Sequence, residues 1–188
     1  MQLETLPWSR GYRRNIADQV DHAKHLAHGR RLAALAACYR QTYPDRHIYF
    51  IGHGAGAAVL LAAAEMLPAD SIDRIILLAP SVSWAYDLRL ALRTARYGID
   101  SFNSSQDRLV LGWGMRIVGT TERESNTAAG QYGFTPVVVS RGDAELYGKL
   151  RQHTWDPVVQ WSGHDGGHSG SNQTGFLRAY VLPLLVSR

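Results

Sequence analysis

The stretch HIYFIGHGAGAAVLLAAAEML, His47 to Leu67, constrains the fold more than any other part of this 188-residue chain. Ile48 to Ile51 is a continuous apolar run with the β-branched and aromatic content of a strand buried on both faces. Gly52-His53-Gly54-Ala55-Gly56 follows, three glycines in five residues that allow a sharp turn. An alanine-rich helical run then continues until Pro68 closes it. A doubly buried strand feeding an apolar helix belongs to a parallel sheet, because parallel neighbours need crossovers and the crossovers cover the faces.

The rhythm repeats. Ile75 to Ala79 is a second strand stopping at Pro80, Tyr86 to Ala95 a helix with Gly98 as its C′ residue, and Ile99 to Ser104 a third strand. Upstream, Leu3 to Trp8 is a short candidate strand and Ser9-Arg10-Gly11 a turn. Asn15 then caps a long helix that has Gly29 as a candidate break and ends at Pro44-Asp45. After Asp107 the pattern weakens. Leu109 to Ile117 reads as helix or loop, Thr120 to Gly133 as loop, and Val137 to Val139 and Val158 to Trp161 as candidate strands. Phe176, Leu177, Tyr180, Val181, Leu184 and Leu185 form a last amphipathic helix ending around Pro183. The expectation is one α/β domain over residues 1–188, a three-layer αβα sandwich with a mostly parallel sheet, right-handed crossovers and ligands at the carboxyl ends of the strands.

Composition removes several functions. The formal net charge is +4, but the basic residues are spread from Arg10 to Arg188 without a dense run, so no nucleic-acid partner is expected. Cys38 is the only cysteine, which excludes an internal disulfide, and the first residues carry no leader pattern, so a cytoplasmic location is expected. The apolar run from Ala57 to Ala64 is far too short for a membrane span. His22, His25 and His28, near Asp18 and Asp21, read as exposed helix histidines, and no metal or other cofactor is expected.

A strand, G-x-S-x-G and a helix make the nucleophile elbow, which exposes its serine at the top of the sheet. Here Gly52-His53-Gly54-Ala55-Gly56 has every feature but the hydroxyl. On these residues the chain resembles the α/β-hydrolase superfamily, in particular its lipase- and lysophospholipase-like esterases with a G-H-S-x-G elbow. Trp8-Ser9-Arg10-Gly11 looks like the end of that family's fourth strand, and Leu78-Ala79-Pro80-Ser81 like the end of its sixth. Gly166-Gly167-His168-Ser169-Gly170 looks like the histidine loop before the last helix.

The resemblance implies a fold lacking its first strands, with triad positions at Gly54, Asp107 and His168 in the order nucleophile, acid, histidine. Asp107 would fix the imidazole tautomer; its bland alternative is a turn or N-cap aspartate. His168 is preferred to His164 because the family's histidine follows the glycine pair. A metal pair of His164 and His168 is disfavoured, since Gly166 and Gly167 oppose the helix it would need. The backbone N–H of Ala55 would be an oxyanion donor, His53 flanks the elbow, and Ser81 lies near the site without occupying the elbow.

Gly54 cannot attack a carbonyl, so no acyl-enzyme can form there. The missing third-strand loop would remove a second oxyanion donor, costing about 10² to 10³ in rate. The expectation is thus a carboxylic-ester or lipid hydrolase scaffold with a degenerate triad, a pseudoenzyme with little or no activity, holding a small ester or lipid-like ligand. Any residual hydrolysis would come from His168 activating water directly.

Two other classes compete. Gly52-His-Gly54-Ala-Gly-Ala57 satisfies a dinucleotide fingerprint, but the acidic residue expected at the end of the next strand is absent, Asp73 lying at its start. A non-catalytic binding protein could keep the cleft, with tryptophans at 8, 84, 113, 155 and 161 available to line it. Missing strands would leave a sheet edge open, which favours a homo-oligomer.

Overall fold

The computed structural model of the protein describes residues 4–6, 22–107 and 128–186. The turn at 9–11, the Asn15 cap, Asp18, Asp21, Trp8, Trp113 and the segment from Leu109 to Ile117 lie outside the described residues, as do Leu3 and Pro7 of the candidate strand at 3–8, whose described residues Glu4 to Leu6 are not in a strand.

Four strands of five residues each, β1 Tyr49–His53, β2 Arg74–Leu78, β3 Ile99–Asn103 and β4 Leu150–Thr154, form an all-parallel sheet in the order β1-β2-β3-β4. Ile51 lies opposite Ile76, Ile76 opposite Asp100, and Asp100 opposite Arg151. Helix α1, His22–Thr42, precedes the sheet. The crossovers carry α2 Gly56–Ala64, α3 Arg89–Thr94, α4 Ala129–Tyr132 and α5 Arg141–Tyr147. This is the α/β architecture that the alternation of strand and helix implies.

Side-chain alternation along β2 divides the core in two. Ile75 and Leu77 pack with Phe50, Ile99 and residues of helices α1 to α5, including Ala36, Leu61, Leu92, Ala129 and Tyr147. Ile76 and Leu78 face the other way, onto Phe102, Phe176 and Val181. The sheet therefore has helices on both faces, and β2 is buried at every position.

Helix α2 is apolar all round and buried throughout, as a helix must be when a sheet covers one side and another helix the other. Its outer neighbour is α1, and Gly29 is not a break in α1 but the point of closest approach. A Cβ there would lie 2.9 Å from the Ala62 Cβ and 3.2 Å from the Ala63 amide nitrogen.

Other expectations need correction. Val158 to Trp161 is not a strand but part of a 3₁₀ turn, Pro157–Ser162, started by a proline and capped by Asp156 Oδ1, which accepts from Val158 N–H at 2.8 Å. Val137 to Val139 is irregular and runs into the capping box of α5, where Ser140 and Asp143 exchange hydrogen bonds. The segment ending at Gly133 contains α4 rather than loop alone. His25 is buried at 1 % exposure, not an exposed helix histidine.

The last helix does not stop at Pro183. It comprises α6 Thr174–Phe176, a π-turn Leu177–Val181, and α7 Leu182–Val186. Pro183 has no N–H and its ring would clash with the carbonyl four residues back, and the widened turn, with Leu182 N–H on Leu177 O, accommodates it. Among the described residues no helix is long and apolar enough to cross a membrane.

Candidate functional site

In a parallel sheet all strands end on the same side, so the segments leaving β1, β2 and β3 gather along one edge. After β1 the chain turns at Gly54, whose φ is +56°. This left-handed geometry is free for glycine and costs other residues about 1 to 3 kcal/mol. The turn is fastened to the end of β2. Gly54 N–H donates to Leu78 O at 2.9 Å, and Gly54 O accepts from Ser81 N–H at 3.1 Å. Ala55 is buried and immediately precedes α2. Its N–H belongs to the group at a helix start that has no intrahelical acceptor, at the positive end of the helix dipole.

After β3, Asp107 is buried at 2 % exposure, with its N–H on Ser104 O at 3.1 Å. The loop after β4 brings His168 to it, and His168 Nδ1 lies 2.7 Å from Asp107 Oδ2. The other ring nitrogen faces residue 54. A Cβ on that residue would stand 3.1 Å from His168 Nε2 and 3.6 Å from Ser81 Oγ. A serine hydroxyl bonded to Nε2 at about 2.8 Å would place its Cβ about 3.5 Å away, so the ring sits slightly closer than such a bond requires. With Asp107 accepting the Nδ1 proton, the neutral imidazole offers a basic Nε2 toward residue 54.

His164 has a different place. It is buried, packs edge-on against Phe176 at 4.7 Å, and its Nδ1 accepts from Gly166 N–H at 3.1 Å. Burial pushes its pKa down, against the pull of Asp165 and Asp107. Asp107 is thus hydrogen-bonded to His168, while His164 shapes the interior of the loop. Among the described residues no group of three or more histidine, cysteine or acidic side chains is placed to hold a metal.

The histidine loop has three ties that sequence reasoning did not find. Ser104 Oγ donates to Gly166 O at 2.6 Å, Trp155 Nε1 donates to His164 O at 3.0 Å, and His53 Nε2 lies 2.8 Å from His168 O. The His53 and His168 rings are 4.5 Å apart. Burial, then the repulsion that protonated His53 would meet from a protonated His168, pushes the His53 pKa down to about 4, so His53 is neutral at pH 7 and donates through Nε2–H. Position next to the elbow was the only available sign of His53, Trp155 was marked only as a residue available to line a cleft, and nothing marked Ser104.

Beside the pair lies a cleft of about 300 Å³, lined by Gln106, Asp107, Asp165, His168, Ser169 and Gln173 with two glycines. Among the described residues, no apolar side chain lines it. Of the described tryptophans, Trp84 and Trp161 are exposed and the Trp155 indole is engaged by the His164 carbonyl. Ser81 is fully buried beneath the turn.

The dinucleotide reading finds no acidic residue at the end of β2. Asp73 is buried at the opposite end, accepting from Arg40 at 3.0 Å and Ile48 N–H at 2.8 Å and paired with His47 at 2.9 Å. Comparison of the chain with protein families, curated proteins and solved structures found no match.

Proposed function

We propose that this chain is an α/β-hydrolase-type domain related to serine carboxylic-ester and lipid hydrolases, in which Gly54 stands at the nucleophile position and closes the acyl-enzyme route. The observation that carries this reading is the convergence on residue 54. A left-handed turn after a strand faces a histidine nitrogen 3.1 Å from where its Cβ would be, and a buried carboxylate holds the other nitrogen at 2.7 Å. These are the relations a serine hydroxyl needs to lose its proton to a base. Without the hydroxyl, no covalent intermediate forms and ester turnover is absent or very low.

The cleft narrows the ligand. Its amides, carboxylates and hydroxyl favour a short, hydrogen-bonding ester over a long acyl chain, which would meet no apolar side chain among the described lining residues. The same features support a second reading, a non-catalytic binding protein that retains the cleft, since glycine relieves the strain at residue 54 at the expense of chemistry.

Hydrolysis of short and long p-nitrophenyl acyl esters by the native chain, Gly54→Ser and Gly54→Ser/His168→Ala separates the two. The hydrolase reading expects a gain of about 10²-fold or more for Gly54→Ser on short esters, lost again in the double variant. A folded Gly54→Ser that gains nothing would overturn it and leave the binding role.

A further inference from the structure

We propose that His53 is a positioning residue, whose Nε2–H clamps the His168 carbonyl and so fixes the imidazole over residue 54. The inference rests on reading His168 as the base of the site. Asp107 holds the imidazole by one nitrogen, which sets its tautomer, and the bonds from Ser104 and Trp155 hold the loop at Gly166 and His164, but none of these contacts ties His168 itself to the elbow. In a serine enzyme the hydroxyl supplies a tie between elbow and base, and at Gly54 there is none. His53 supplies one from the same strand. It is the last residue of β1, adjacent to Gly54, and it reaches the main chain of His168 at 2.8 Å across 115 positions of sequence. The two anchors differ in kind, one on the ring and one on the backbone, and together they determine where Nε2 lies.

The electrostatics agree with this assignment. A charged imidazolium 4.5 Å from His168 would oppose its protonation and weaken it as a base. His53 avoids this because burial, with His168 itself, holds its pKa at about 4. A lysine or arginine could make the same hydrogen bond only by placing a permanent charge there. A neutral donor of this reach is a histidine, or an amide.

The test tracks the His168 Nδ1 proton by NMR in the native chain, His53→Ala and His53→Gln, the signal being assigned by its loss in His168→Ala. Hydrogen-bonded to Asp107, this proton resonates far downfield and survives exchange only if the loop is held. The clamp expects the signal in the native chain and in His53→Gln, whose amide N–H replaces the donor, and its loss by exchange in a folded His53→Ala. In the Gly54→Ser background, His53→Ala is expected to lower kcat about tenfold with KM little changed, and Gln to recover it. Persistence of the proton in His53→Ala, its absence from the native chain, or a Gln variant no better than Ala would each overturn the proposal. If Gly54→Ser is inert, the hydrolase reading fails, and the proton signal still decides the clamp.

Discussion

At residue 54 stability and chemistry oppose one another. Serine must adopt the φ of +56° that glycine takes freely, so Gly54→Ser is expected to lose about 1 to 3 kcal/mol in urea denaturation, whatever it does to esters. An unchanged midpoint would mean that the turn relaxes and that the glycine is not relieving strain. His53 makes a second prediction. Its ordinary pKa of 6.5 is restored on unfolding, while the folded value is about 4. Between these pH values the unfolded chain binds more protons, so stability falls as pH drops from 6.5 toward 4, and His164, also shifted down by burial, adds in the same direction. Urea curves at pH 7 and pH 5 check this, and His53→Gln is expected to reduce the difference between them. That Asp107 and His168 meet was legible from chain order taken with the resemblance of the glycine-rich loop, because that order tracks successive strand ends. The roles of His53 and Ser104 were not, since each rests on a side chain meeting a distant carbonyl, which leaves no periodicity to read.

Among the elements, legibility followed the apolar runs, even though β1 is not buried on both faces as expected, Ile51 being 40 % exposed. β1, β2 and β3 are found within about two residues of the positions their apolar runs indicate, a margin typical of element ends. β4 was missed because Leu150-Arg-Gln-His-Thr154 is an edge strand with a polar sequence, its Arg151 and His153 spent on a carboxylate of β3. Val158 to Trp161 misled for the converse reason. Its apolar residues are on the surface, Val158 at 71 % and Trp161 at 73 % exposure, so they carry no strand pairing. Gly29 shows how one residue type supports opposite readings: a mid-helix glycine lowers helix propensity, yet here it lets α1 meet α2. Gly29→Ala would gain about 1 kcal/mol of propensity and lose about 1 to 3 kcal/mol to overpacking against Ala62 and the Ala63 backbone. A net destabilisation is therefore expected in chemical denaturation, and a stabilised variant would show that the two helices can separate without cost.

For the whole molecule, the sheet is joined across three strands by one carboxylate. Asp100 of β3 accepts from Arg74 Nη1 of β2 at 2.8 Å, from Arg151 Nε and Nη2 of β4 at 2.9 and 2.8 Å, and is paired with His153 Nε2 at 2.8 Å. Burial works against its charge, but the hydrogen bonds from His153, Arg151 and Arg74 outweigh that and hold the carboxyl well below the usual carboxylate range. Its contribution is consequently present above the unfolded carboxylate pKa and is lost only as pH falls through the lower folded value. Asp100→Ala would leave Arg74, at 7 % side-chain exposure, as a buried cation stripped of this carboxylate. Breaking a buried pair on one side costs about 3 to 5 kcal/mol, a large fraction of the roughly 5 to 15 kcal/mol that holds a domain together. The lower end is expected here, because Arg151 and His153 are partly exposed and water can serve them. The same strand carries Asp107 beyond its far end, so loosening β3 should also weaken the hydrogen-bonded proton of His168. Urea unfolding of Asp100→Ala, read in parallel with that proton signal, checks both consequences. A loss below about 1 kcal/mol would mean that water and the remaining partners replace the carboxylate, and that apolar packing on the two faces, rather than this ionic crossing, keeps the strand ends in register beneath the site.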